Sequence, residues 1–158
     1  MPDDHAWLQQ TIALSTRCPP SATAFAVGAL IVVDDTCVST GFSRETGPHE
    51  HAEEVALARL GPPPAGATLY SSLEPCSQRS SKPQTCTELI LAADIRRVVF
   101  AWSEPDHFVT DVQSVRILRQ HGVEVVEVPE LADAAREVNR SVLARYARGS
   151  GAAPGRTA

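Results

Sequence analysis

Three residues with metal-binding side chains stand at spacings that suit a catalytic zinc site. They are His51, Cys76 and Cys86, and Glu53 follows the histidine by two positions. One imidazole and two thiolates fill three of the four positions that zinc uses, and catalytic zinc sites keep the fourth open. Because Glu53 is not needed as a ligand, its carboxylate is left to move protons. The pattern predicts zinc bound by His51, Cys76 and Cys86, with Glu53 as the catalytic residue.

These residue types are the ones that hydrolysis of an amino group on a heterocycle requires. Zinc lowers the pKa of bound water to ~7, which provides hydroxide at neutral pH. A carboxylate beside the open position can take a proton from the water and pass it to a ring nitrogen and the leaving amine. The H-x-E and P-C-x-x-C spacings are the signature of zinc nucleobase deaminases. This chain matches the H-x-E and the Pro-Cys, but nine residues separate Cys76 from Cys86 instead of two.

Each of these features taken alone has an ordinary explanation. A histidine near a helix start is usually a surface residue, and two cysteines ten positions apart are usually unrelated. A structural zinc site would use four protein ligands, and no fourth cysteine or histidine has obvious ligand spacing, although His49 is close. The ordered set, with each member at an element boundary, favours the catalytic site.

The predicted helices and strands place the site residues at element ends. The segment 50–60 predicts a helix with His51 and Glu53 in its first turn, and Cys86 opens a second predicted helix at 85–93. The other cysteine follows a predicted buried strand. Helix N-termini favour anionic groups and stabilise thiolates. The backbone is therefore expected to support the negative charges of the site.

The hydrophobic pattern also predicts the surrounding elements. In chain order they are a helix at 3–15, a β-hairpin of strands 25–33 and 37–42 with its turn at Asp34-Asp35, strands at 68–73 and 97–102, a helix at 114–121, a strand at 123–128, and a long helix at 130–146 with an apolar face of Leu131, Ala134, Val138, Val142 and Leu143. Because strands alternate with helices from the middle of the chain, we expect parallel strands there. The predicted fold class is α/β, a three-layer α/β/α domain around a five-stranded mixed sheet over residues 1–148, and residues 149–158 are expected to be a disordered tail.

Composition narrows the partners. The chain has 158 residues and a formal net charge of −5, which argues against a nucleic-acid surface because phosphate binding relies on clustered Lys and Arg. The longest apolar run, 22–33, is too short to cross a bilayer, and the acidic N-terminus does not resemble a secretory signal. Cys18 and Cys37 then fit as reduced thiols in a cytoplasmic protein. We expect a small heterocyclic amine as substrate, with no nucleic acid or membrane partner.

Further segments match a known family. They read VGALIV at 27–32, LYSSLEPCS at 69–77, IRRVV at 95–99, EPD at 104–106, and a helix around Asn139. With the zinc motif, they make the chain resemble the cytidine-deaminase-like superfamily, and most closely the deaminase domain of the bifunctional riboflavin-biosynthesis deaminase/reductase. The resemblance implies the fold, the zinc ligands, a phosphoribosylamino-pyrimidine substrate, substrate contacts at Ala52, Ser72 and Glu74, and a homodimer formed through the zinc-bearing helices.

The chain departs from that family at positions that contact substrate. Ala24-Phe25 stand where the family has Asn-Pro, QRSS at 78–81 replaces a loop with a His pair and a Gly, and EPDHF at 104–108 replaces Asp-Pro-Asn-Pro. A free nucleobase, a nucleoside or a specialised-metabolite base therefore remains open as the substrate. Two other functions are weaker alternatives. Deamination of a base within RNA is disfavoured by the negative charge, and an inactive zinc-binding subunit is disfavoured by the presence of Glu53.

Two loops are candidates for substrate recognition. The loop 78–84 joins two predicted zinc ligands, and its charges are those of Arg79 and Lys82, which suit a phosphate. A second loop, 103–110, offers Phe108 for stacking, with Asp106 and His107 for hydrogen bonds to a ring. The alternative for both loops is simple exposure to solvent.

Overall fold

The computed structural model describes residues 2–79, 81–103 and 113–148. In chain order, its elements are α1 (Asp4–Ser15), β1 (Gly28–Val33), β2 (Thr36–Phe42), α2 (Ala52–Leu60), β3 (Thr68–Leu73), α3 (Cys86–Ala92), β4 (Arg97–Trp102), α4 (Ser114–Gln120), β5 (Glu124–Glu127), a 3-10 turn (Pro129–Leu131), α5 (Ala132–Val138) and α6 (Arg140–Ala147). Most of these bounds lie within two residues of those predicted from the hydrophobic pattern.

The five strands form one mixed sheet in the order β2-β1-β3-β4-β5. β1 pairs antiparallel with β2 and with β3, whereas the β3–β4 and β4–β5 pairs are parallel. The hairpin turn has Asp34 at φ 48° and Asp35 at φ 57°. Two consecutive positive φ angles are typical of the turns that match the twist of a tight hairpin, and Asp tolerates them better than most residues. The predicted hairpin and parallel strands are confirmed.

Helices cover both faces of the sheet. α1 and α5 pack on one face, while α2 packs on the other against β1, β2 and β3, and α3 lies between α2 and α4. Successive residues of β3 show the two faces, because side chains alternate along a strand. The Tyr70 hydroxyl donates to Asp4 Oδ1 on α1 at 2.8 Å, whereas Ser71 Oγ reaches Glu53 on α2. This is the predicted three-layer α/β/α arrangement.

The prediction of one helix over 130–146 was wrong. The segment is a 3-10 turn followed by α5 and α6, and the break falls at Asn139. The buried Asn139 side chain binds the segment before β1: Oδ1 accepts from the Ala26 N–H at 2.7 Å, and Nδ2 donates to the Ala26 carbonyl at 3.0 Å. Most of the predicted apolar face is confirmed, since Leu131 and Val142 are buried and Val138 and Leu143 pack against the core. Ala134 was wrong: it is exposed, and its neighbour Ala135 is buried instead.

The same contact accounts for the late start of β1, which was predicted at residue 25. Asn139 occupies both backbone groups of Ala26, and the Val27 N–H donates to Ser43 Oγ at 3.2 Å, so these groups are not available to a neighbouring strand. The predicted tail at 149–158 lies outside the described residues. Across the described ranges, no helix is both long enough and apolar enough to span a membrane.

Candidate active site

His51 stands immediately before α2. Its backbone is extended, with φ −87° and ψ 156°, and the helix begins at Ala52. The helix therefore starts two residues later than predicted, and His51 is its N-cap and not part of its first turn. The His51 N–H donates to Glu54 Oε1 at 3.2 Å, and its carbonyl accepts from the Val55 N–H at 3.0 Å. These bonds fix the backbone from which the imidazole projects.

The two cysteines are joined through the start of α3. Cys86 is the first residue of that helix, and its N–H donates to Cys76 Sγ at 3.2 Å. The Thr87 N–H and hydroxyl both donate to the Cys76 carbonyl, at 3.1 Å and 2.8 Å. The long loop between the cysteines therefore leaves both at the N-terminus of α3, where a thiolate is stabilised.

The structure brings the three predicted ligands together. His51 Nδ1 lies 3.6 Å from Cys76 Sγ and 3.3 Å from Cys86 Sγ, and the three ligand atoms all lie within 4.8 Å of one another in buried side chains. Typical Zn–N and Zn–S distances at a tetrahedral ion separate nitrogen and sulfur ligands by about 3.5 Å. The donor set and its spacing thus fit a zinc ion, which the structure itself does not contain.

Glu53 lies beside this cluster. It is fully buried, and its Oε2 is 3.5 Å from Cys86 Sγ while its Oε1 accepts from Ser71 Oγ at 2.8 Å. One carboxylate oxygen thus faces the sheet and the other faces the ligands, which suits a group that moves protons at the open position. Ser71 was not among the predicted site residues, although it is the polar residue between Leu69 and Leu73 on one face of β3.

The cations of the loop between the cysteines are paired with carboxylates of α2 and its approach. The Arg79 side chain has no exposed surface, and its Nη2 donates to Glu54 Oε1 at 2.9 Å and to the His49 carbonyl. Lys82 is partly exposed, and its Nζ lies 2.6 Å from Glu50 Oε1 and 3.5 Å from Glu54 Oε2.

The contacts among these side chains favour the charged forms of Glu54 and Lys82. Burial acts to raise the pKa of Glu54, but the hydrogen bonds from Arg79 and from the His51 N–H outweigh it, so the pKa is lowered. The hydrogen bond to Glu50 raises the pKa of Lys82. In this structure Arg79 joins the loop to α2, and Lys82 is the more accessible of the two cations.

The other described residues that were predicted to contact the substrate are all buried. Ala52 is buried at the start of α2, between the histidine and the carboxylate. Ser72 Oγ accepts from the Gly28 N–H at 3.1 Å. The buried Glu74 accepts from the Ser114 hydroxyl, and its N–H donates to the Trp102 carbonyl at 2.8 Å. The predicted ring contacts Asp106, His107 and Phe108 lie outside the described residues.

A family model described as the cytidine and deoxycytidylate deaminase zinc-binding region matches residues 1–102. A diaminohydroxyphosphoribosylamino-pyrimidine deaminase of Schizosaccharomyces pombe is 42% identical over 116 residues, which are 70% of this chain and 28% of that protein. The riboflavin biosynthesis protein RibD of Escherichia coli is 36% identical over 123 residues, which are 78% of this chain and 32% of that protein. The chain thus spans about a third or less of the length of these relatives.

Solved structures give the same result for the fold. RibD of Acinetobacter baumannii superposes with a TM-score of 0.75 at 32% identity, over 92% of this chain and 40% of that one. The Rib2 deaminase of Aspergillus oryzae superposes with a TM-score of 0.71 at 24% identity, over 91% of this chain and 98% of that one. The fold and the family resemblance that were predicted from the sequence are confirmed.

Proposed function

The chain belongs to the cytidine and deoxycytidylate deaminase family, and on that basis we propose that it is a zinc-dependent hydrolase that converts an amino group on a pyrimidine-type ring to a carbonyl. The observation that supports this most strongly is the position of the buried Glu53, whose Oε2 lies 3.5 Å from Cys86 Sγ. A purely structural metal site has no use for a carboxylate placed next to its ligands.

Each residue of the site has a distinct part in this proposal. His51, Cys76 and Cys86 hold zinc, which when bound supplies a Lewis acid that ionises water near neutral pH. Glu53 takes one proton at Oε2 from the attacking water and gives it to the ring nitrogen; it then takes the second proton from the new hydroxyl on the ring carbon and gives it to the departing amine. One water is thereby consumed and one ammonia is released as the carbonyl forms. The surrounding burial excludes bulk water, which strengthens these charge interactions.

For the substrate, we propose the aminated pyrimidine with a ribose phosphate that is named in the relative from S. pombe. We assign the phosphate contact to Lys82, because its side chain is 32% exposed and lies on the loop between two proposed zinc ligands. Arg79 was predicted to share this role. Since it is fully enclosed and bound to Glu54, we propose that it acts by holding the loop that presents Lys82.

A screen for ammonia release tests the function. Purified protein loaded with zinc is assayed on free bases, nucleosides, nucleotides and the phosphoribosylamino-pyrimidine, beside Glu53→Gln. We expect the phosphorylated pyrimidine to be the best substrate and Glu53→Gln to lower kcat roughly a hundredfold to ten-thousandfold, with unchanged zinc content. A best substrate without phosphate would favour the nucleobase alternative. Zinc-loaded protein that releases no ammonia from any compound would instead identify an inactive subunit.

A homodimer and a cytoplasmic location complete the proposal. An apolar groove of about 630 Å³ lies between α2 and α3, with Leu57, Pro62 and Leu89 in its lining. We propose this groove as the dimer interface. Light scattering at micromolar concentration should give twice the chain mass, and Ala92→Glu in the groove should give a monomer, whereas Ala134→Glu on α5 should not.

The proposed cytoplasmic location follows from the thiolate ligands, which must not be oxidised and therefore require a reducing compartment. Cell fractionation checks this location.

A further inference from the structure

The buried hydroxyl of Ser71 contacts the proposed catalytic carboxylate directly. Ser71 lies in β3 with no exposed surface, and its Oγ is 2.8 Å from Glu53 Oε1 and 2.7 Å from the Leu73 carbonyl. A serine hydroxyl has one proton and two lone pairs, so it can donate to one of these oxygens or share its proton between both. Neither the zinc motif nor the predicted substrate contacts included this residue.

The sheet holds Ser71 in place. Its backbone is paired with Ala29 on β1 and with Phe100 on β4, so β3 is flanked by strands on both sides at this position. The contact with the Leu73 carbonyl further restricts the hydroxyl. A group on a central strand is a more rigid support than one on a loop.

Glu53, in contrast, is on a flexible side chain. A glutamate side chain has three rotatable bonds, and the α2 backbone alone does not choose among their rotamers. The bond to Ser71 fixes Oε1 on the sheet side, which leaves Oε2 on the side of Cys86 at 3.5 Å. Misplacing a reacting group by about 1 Å can cost a hundredfold in rate.

We propose that Ser71 is a positioning residue that holds the Glu53 carboxylate with one oxygen directed at the metal ligands. This inference rests on the proposed deaminase function, but it also makes a structural statement that can be checked without activity. The effect on catalysis passes entirely through Glu53.

The first experiment measures kinetics of Ser71→Ala, Ser71→Thr and Ser39→Ala. Ser39 is a matched control because its Oγ also donates from the sheet to α2, to the Ala56 carbonyl at 2.7 Å, without touching Glu53. We expect Ser71→Ala to lower kcat roughly tenfold to a hundredfold with KM within about twofold, and Ser71→Thr to restore most of it. Ser39→Ala should lower the melting temperature by about as much as Ser71→Ala does, because each removes one buried hydrogen bond between the sheet and α2. In Ser39→Ala, however, kcat should stay unchanged.

A second measurement separates positioning from general destabilisation. In the Glu53→Gln background, adding Ser71→Ala should change kcat by less than about twofold, because the group that Ser71 positions is already lost. Independent, multiplicative losses in the double variant would overturn the inference. So would a fall in kcat that Ser39→Ala reproduces.

Crystal structures of metal-free wild type and Ser71→Ala provide a readout that does not depend on activity. We expect Glu53 Oε2 to move away from Cys86 Sγ or to occupy more than one conformer in the variant, and an unchanged Glu53 would overturn the inference. Wild-type protein that releases no ammonia from any substrate, together with a displaced Glu53 in the variant, would reject the proposed function while leaving the positioning role standing.

Discussion

Replacing Cys86 by alanine tests the metal site without requiring a known substrate. Cys86 is fully buried, and its Sγ is 3.3 Å from His51 Nδ1. The variant removes one of three ligands, so we expect purified Cys86→Ala to contain much less than one zinc per chain. Cys37→Ala is the matched control, because Cys37 is a partly buried thiol on β2 that belongs to no His/Cys cluster of the described residues.

The expected magnitude follows from linkage. A ligand present at about a hundred times its dissociation constant stabilises the folded state by about 2.7 kcal/mol. In a domain of this size, each kcal/mol shifts the melting temperature by about 2–4 °C. Removing zinc from wild type with a chelator should therefore lower its melting temperature by about 5–11 °C. Cys86→Ala should melt near that lower value and should not respond to the chelator.

Elemental analysis and thermal unfolding with and without chelator measure both quantities. Cys37→Ala should keep the wild-type zinc content and the full response to the chelator. The ligand assignment is refuted if Cys86→Ala retains one zinc per chain, or if Cys37→Ala loses zinc to the same degree. A wild-type protein whose melting temperature ignores the chelator would show that the site contributes nothing to stability.

Two further predictions concern charged side chains. Lys82→Ala should raise KM for the best phosphorylated substrate roughly tenfold to a hundredfold with unchanged zinc content. Replacing the exposed Arg96 by alanine should leave KM unaltered. Equal KM values for wild type and Lys82→Ala would exclude the phosphate contact. The hydrogen bond from Arg97 lowers the pKa of Asp4, so this pair stabilises the fold above the unfolded pKa of about 3.9 and stops doing so as the pH falls through the lower folded value. Denaturant titration of Asp4→Asn should show a loss of about 1.5–3 kcal/mol at pH 7 that disappears in acid, and a loss independent of pH would contradict the assignment.

The features that were predictable from the sequence depend on near neighbours. The Asp34-Asp35 turn follows from two adjacent residues, and the ligand set follows from residue types at element ends. What escaped prediction depends on side chains that meet across the fold. The break at Asn139 arises from its contact with Ala26, which lies 113 positions away along the chain. Such a contact has no local periodicity, so the helical pattern of the surrounding segment continued through it.

The pairing of Arg79 was missed for the same reason, and it connects the loop to the metal site. Glu54 Oε1 accepts from the His51 N–H at 3.2 Å and from Arg79 Nη2 at 2.9 Å, so a single carboxylate oxygen is shared by the backbone of a predicted zinc ligand and by the loop. The ends of that loop are fixed separately, because the Cys86 N–H donates to Cys76 Sγ. A loop bound at both ends and at the interior residues Arg79 and Lys82 can be longer than the two-residue spacing of the nucleobase deaminase signature without moving the ligands. The other residues of the loop can therefore differ in what they present to a substrate, provided that Arg79 keeps its contact with Glu54.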